Sequence, residues 1–132
     1  MVNSLEGKLA IVTGGAGGMG RSHALRLAKL GANVAILDID LNVAARYGET
    51  LSAATVRDEI LELGRDCIAI EADLSDRAAA FDAVKKIEQH FGRIDILVNN
   101  AGGAITPIEN SSASSSSEED RRKLFSVNFE TA

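Results

Sequence analysis

Four short apolar runs punctuate the chain: residues 8–14 (KLAIVTG), 33–38 (NVAILD), 67–72 (CIAIEA) and 94–99 (IDILVN). In each, Val, Ile, Leu and Ala follow one another instead of alternating with polar residues. That pattern predicts strands covered on both faces of a parallel sheet. Between the runs, apolar positions recur at helical spacing. Residues 18–30 carry Met19, Leu27 and Leu30 as a stripe, with Gly31 as the C-terminal cap. Residues 52–63 carry Val56, Ile60 and Leu63 ahead of Gly64. Residues 76–91 carry Phe81, Val84, Ile87 and Phe91, with Ser75 as the N-cap and Gly92 as the stop. Strands alternating with helices predict an α/β fold whose parallel strands are joined by right-handed crossovers.

Two stretches break the pattern. Residues 40–50 (DLNVAARYGET) are longer than a usual strand-to-helix connection and predict a surface insertion. Residues 109–117 form a polar, Ser-rich loop. Ser117 and Asp120 make a capping pair at its end and open a last helix. In that helix Leu124, Val127 and Asn128 share one face, and no stop signal follows the last apolar residue. The helix and the chain are therefore expected to continue past Ala132.

Length and composition narrow the classes. The 132 residues amount to a single domain. A net charge of −5 argues against a basic nucleic-acid-binding face, and 4% aromatics without Trp argue against base stacking. Apolar runs of about five residues are far short of a membrane span, and residues 1–14 lack the charged and apolar regions of a signal peptide. The lone Cys67 excludes an internal disulfide and points to a reducing, cytoplasmic setting. No cluster of His, Cys or carboxylates has metal-ligand spacing.

The chemistry concentrates where the first strand runs into TGGAGGMGRSHALRLAKLG (13–31). Between a strand and a helix, glycines let the backbone turn tightly against a pyrophosphate, and the helix N-terminus offers free N–H groups. Asp38 ends the second strand, 18 residues after Gly20, placed to accept hydrogen bonds from adenosine ribose hydroxyls. It would also repel a 2′-phosphate: unit charges ~4 Å apart at an effective dielectric of ~20 interact by ~4 kcal/mol. Screening leaves ~1–2 kcal/mol, enough to favour NAD over NADP by roughly tenfold. Arg21 lies near the loop.

These residues carry a resemblance. Thr13, Gly14, Gly18 and Gly20 match the T-G-x-x-x-G-x-G fingerprint of the classical short-chain dehydrogenase/reductase family. NNAG (99–102), Asp73 after the third strand and Asn128 in the fifth helix match three further signatures, in order. The chain is similar to the N-terminal half of that family. The resemblance implies a Rossmann-type doubly wound parallel sheet of order 3-2-1-4, truncated after the fourth strand and part of the fifth helix. It implies an NAD(H)-dependent oxidoreductase interconverting a small alcohol and a carbonyl by hydride transfer. The cofactor would rest on Thr13, Gly14, Gly18, Met19, Gly20, Asp38, Asp73, Leu74, Asn100, Ala101 and Gly102. Asn128 would have a structural, proton-relay role. A homodimer or tetramer built on the fifth helix is also implied.

The family's catalytic Ser, and its Tyr with Lys four residues later, have no counterpart. Tyr47 is the single tyrosine, precedes the third strand, and has Leu51 four residues on. The serines of 111–117 precede the fifth helix, where the family's Ser follows it. The 132 residues alone are therefore expected to be inactive, and a non-catalytic NAD-binding module is the alternative. His23 reads as a surface or packed histidine, His90 as a helix C-terminal charge and Cys67 as core. As an open edge, 94–99 is expected to self-associate or to fold poorly.

Overall fold

The computed structural model describes residues 4–112 and 114–132. Strands β1 (Leu9–Thr13), β2 (Asn33–Asp38), β3 (Cys67–Glu71) and β4 (Ile96–Val98) form one parallel sheet in the order β3-β2-β1-β4. Helices α1 (Gly18–Lys29), α2 (Val43–Arg46), α3 (Val56–Glu62), α4 (Arg77–Phe91) and α5 (Glu118–Phe125) intervene or follow. A 3-10 turn at Ile108–Asn110 precedes α5, which runs into a π-helical turn at Ser126–Glu130. This is the Rossmann-type architecture and strand order the sequence implied.

Successive strand residues point to opposite faces, and both faces are covered. On one, Val12, Val34 and Ile36 meet Ala24 and Ala28 of α1 and Val56 and Ile60 of α3. On the other, Leu9, Ile11, Ala35 and Leu37 meet Ala83 and Ile87 of α4. Each fully buried aliphatic side chain here contributes about 1.5–3 kcal/mol over leaving it in water.

Several local expectations are corrected. Helix α1 buries Gly20, Ala24 and Ala28, and Met19 is 76% exposed instead of forming part of its apolar stripe. Small residues four apart let α1 lie close to the sheet, which a larger stripe would hold off. Helix α3 starts at Val56, later than 52, because the Thr55 hydroxyl caps Asp58 N at 3.1 Å. The N-cap of α4 is Asp76, not Ser75. Its carboxylate accepts from the amides of Ala78 and Ala79, while the Ser75 hydroxyl donates to Asp73 at 2.6 Å. Phe81, 64% exposed, lies outside the buried face of α4, under the Arg77 guanidinium at 5.7 Å. The capping box of Ser117 and Asp120 forms as expected. Strand β4 is shorter than expected, and its Leu97 is 57% exposed at the open edge.

Candidate functional site

Thr13, at the end of β1, ties two loops together. Its hydroxyl accepts hydrogen bonds from the amides of Asn100 (3.0 Å) and Ala101 (2.9 Å) and donates to Val98 O at 3.4 Å. The Asn100 side-chain amide donates back to the carbonyls of Thr13 (3.1 Å) and Gly14 (3.2 Å). The NNAG segment is thereby held against the glycine turn.

The glycines answer to space and to backbone angle. Gly14 has φ +64°, and a Cβ there would stand 3.0 Å from Ala101 Cα. A Cβ on Gly20 would run into the Gly14 carbonyl, so α1 can begin this close to the turn only with glycine. The α1 N-cap, Gly17, brings no side chain to the helix's free N–H groups. The result is a turn of backbone donors with no side chains of its own, a donor set that fits a pyrophosphate.

Around it, Asp38 ends β2 almost fully buried. Its carboxylate accepts from Ala16 N (3.1 Å) and Asp40 N (3.2 Å), holding the turn from the side. The Asp73 carboxylate accepts from Ser75 N and Oγ at 2.9 and 2.6 Å, which hold it below its ordinary carboxylate range. Asn128 lies in the π-helical turn. Its Oδ1 accepts from Gly103 N at 2.9 Å, and its Nδ2 donates to Gly103 O (3.1 Å) and Leu124 O (2.9 Å). It acts as a staple between the last helix and the loop after NNAG. A Cβ on Gly102 would collide with it.

Residues 40–50, expected as a surface insertion, are mostly exposed and reach across the glycine turn. The Glu49 carboxylate accepts from Gly18 N at 2.6 Å, and Val43 leaves no room for a Cβ on Gly17. Arg21 of α1 reaches the same carboxylate at 3.2 Å and Thr50 O at 3.2 Å. Its guanidinium forks onto Glu59 of α3 at 2.8 and 2.7 Å. Glu59 is 3% exposed and also accepts from Ser52 N (2.8 Å) and Oγ (3.0 Å). The Arg21 hydrogen bonds lower its pKa to about 2, against the opposing effect of burial, with Ser52 assisting. Sequence reasoning missed both acids. The available signal was Glu59 itself, a charge on the apolar stripe between Val56 and Ile60.

These elements enclose an open cavity of about 620 Å³. The structure brings Gly14, Gly18, Met19, Asp38, Asp73, Leu74, Asn100, Ala101 and Gly102 to its wall. Thr13, Gly20 and Asn128 do not line it, and they act through the neighbours they hold. Ile39, Val43, Tyr47 and Glu49 line it as well. Burial pushes the Cys67 thiol up to about 12, so it is core and no nucleophile. His23 is exposed, and His90 meets Asp66 at 2.9 Å. Among the described residues no metal-ligating cluster exists, and no helix is long and apolar enough to cross a membrane.

Residues 8–132 match the family model described as short chain dehydrogenase. The chain is 43% identical over 113 residues to cyclohexanol dehydrogenase of Rhodococcus sp. (strain TK6), covering 83% of this chain and 42% of that protein. It is 38% identical over 107 residues to (-)-trans-carveol dehydrogenase of Rhodococcus erythropolis, covering 78% and 38% of the two. The carveol dehydrogenase from Mycobacterium avium, solved in complex with NAD, superposes with a TM-score of 0.79 at 27% identity, covering 97% of this chain and 46% of that one. The chain thus spans about two-fifths of the length of these curated relatives. On the matched residues and the shared parallel sheet together, this chain belongs to the short-chain dehydrogenase family.

Proposed function

We propose that this chain is the cofactor-binding half of an NAD(H)-dependent oxidoreductase that interconverts a small alcohol and its carbonyl compound. One observation carries the reading: the glycine turn, locked to Asn100 and Ala101 by Thr13, lines one cavity together with Asp38 at the end of β2. In it, Gly14, Gly18 and Met19 face the pyrophosphate, which would displace the Glu49 carboxylate from Gly18 N, while Gly20 lets α1 start this close to the turn. Asp38 accepts from the adenosine ribose hydroxyls, Asp73 and Leu74 border the adenine, and Asn100 to Gly102 form the opposite wall. Asn128 orients the backbone at Gly103. Bound NAD would supply the hydride acceptor for alcohol oxidation. NAD is preferred to NADP because Asp38 opposes a 2′-phosphate and Arg21 is engaged elsewhere. The complex of the carveol dehydrogenase with NAD supports that choice.

The sequence holds no Tyr with a Lys four residues later, and Tyr47 has Leu51 there. We therefore read the 132 residues as binding NAD without turning it over, which also leaves a non-catalytic NAD-binding module as the second reading. The setting is read as cytoplasmic, from the single unpaired Cys67. A homo-oligomeric assembly is supported by the exposed, stacked pair Phe125 and Phe129 on the last helix. Calorimetric titration with NAD tests the core of the proposal. Saturable binding that Asp38→Ala weakens about tenfold or more supports it, and no binding by the folded chain overturns it. Cyclohexanol oxidation followed as NADH absorbance is expected to stay at background.

A further inference from the structure

We propose that Glu49 is a second determinant of cofactor choice, one whose carboxylate stands on the glycine turn and turns away a nucleotide bearing a 2′-phosphate. The inference rests on the NAD-binding reading above, which attributes that preference to Asp38.

Two carboxylates sit on this one turn. Asp38 accepts from Ala16 N at 3.1 Å and Glu49 from Gly18 N at 2.6 Å. The two amides are two residues apart, so they lie within about 7 Å of each other along the chain. Both acids line the same cavity, together with Asp73, and no Lys, Arg or His among the described residues does. Of the two cations nearest in sequence, Arg46 pairs with Asp40 at 2.9 Å, and Arg21 on α1 is engaged as well. Its guanidinium forks onto Glu59 at 2.8 and 2.7 Å and reaches Thr50 O and Glu49 at 3.2 Å each. Arg21 is shared between two carboxylates, Glu59 and Glu49, so the three groups together keep one net negative charge beside the turn.

A 2′-phosphate entering beside Asp38 would meet two carboxylates and no free cation. Ribose hydroxyls, by contrast, donate to Asp38 and carry no charge for Glu49 to oppose. Any repulsion between Glu49 and the pyrophosphate is common to both cofactors and cancels in their ratio. The competing account is that Glu49 merely caps α1. Glu49→Gln separates the two, because the amide oxygen still accepts from Gly18 N while the charge is gone and Arg21 Nη1 is released.

The experiment titrates the wild-type chain and E49Q with NAD and with NADP by calorimetry. Competition by 5′-AMP and 2′,5′-ADP isolates the contribution of the phosphate. The expected result is that E49Q narrows the ratio of the NADP and NAD dissociation constants by about tenfold. The phosphate-specific effect is read as the larger gain of NADP over NAD and of 2′,5′-ADP over 5′-AMP, on top of the gain that all four ligands share. An unchanged ratio in a variant that still binds NAD overturns the role of Glu49 and leaves the proposed function standing. A wild-type chain that is folded and binds neither dinucleotide overturns both.

Discussion

The hydroxyl of Thr13 and the amide of Ala101, 88 residues apart in sequence, meet at 2.9 Å. The same hydroxyl accepts from Asn100 N at 3.0 Å, so one small side chain satisfies two amides and joins the glycine turn to the loop after β4. Thr13→Val keeps the shape and removes the acceptor. Leaving two partly buried amides unsatisfied costs about 1–3 kcal/mol each at most. The expected outcome is a loss of about 2 kcal/mol in urea denaturation and weaker NAD binding. Unchanged stability would show that water replaces the hydroxyl without loss.

Gly20 and Gly18 differ in the kind of constraint they meet. A Cβ at Gly20 overlaps the Gly14 carbonyl, so Gly20→Ala must push α1 off the sheet. Overpacking of this kind costs about 1–3 kcal/mol or more. Gly18 has open space but φ +54°, so Gly18→Ala meets backbone strain of about 1 kcal/mol. Paired thermal melts should rank Gly20→Ala as the more damaging. The reverse order would mean that the helix start yields more easily than the backbone angle.

Glu59 links stability to acid pH. Its pKa is lowered from the ordinary 4.5 to about 2 in the folded state, first by the Arg21 hydrogen bonds. A depressed carboxyl stabilises above its unfolded pKa, and that stability is lost as pH falls from about 4.5 through about 2. The contribution is on the order of 3 kcal/mol for this almost fully buried group. Asp73 and Asp95 are shifted in the same direction, so the wild-type slope contains more than one group. The difference between wild type and Glu59→Gln isolates one of them. Denaturation midpoints across this window should show a flatter pH profile for E59Q, and parallel profiles would reject the assignment.

Strand β4 leaves an edge. Leu97 is exposed along it, and Phe125 and Phe129 add apolar surface on the last helix. An open apolar strand pairs readily with another chain. Light scattering at rising concentration should show self-association, and Leu97→Lys should reduce it. A monodisperse monomer at high concentration would contradict this expectation.

Residue patterns along the chain determined the four strands, their parallel arrangement and the glycine turn. These are local matters: strand continuity reports two covered faces, and glycine reports a backbone that must turn or approach closely. The site residues named from sequence mostly converge on one cavity for the same reason, since they stand at strand ends or at the helix start that follows β1. Local patterns failed where residue size or distant partners decided. Met19 and Phe81 counted as core by their apolarity, yet Gly20, Ala24 and Ala28 pack α1 against the sheet, and Ala83 joins the expected Ile87 in packing α4. The Glu49 contact to Gly18 and the Arg21 fork on Glu59 span 31 and 38 residues. No periodicity encodes such pairs, because they form only when the sheet brings α1 and α3 side by side and the 40–50 segment closes over both. The sequence determined where a dinucleotide cradle could form, and the tertiary structure decided which charges surround it.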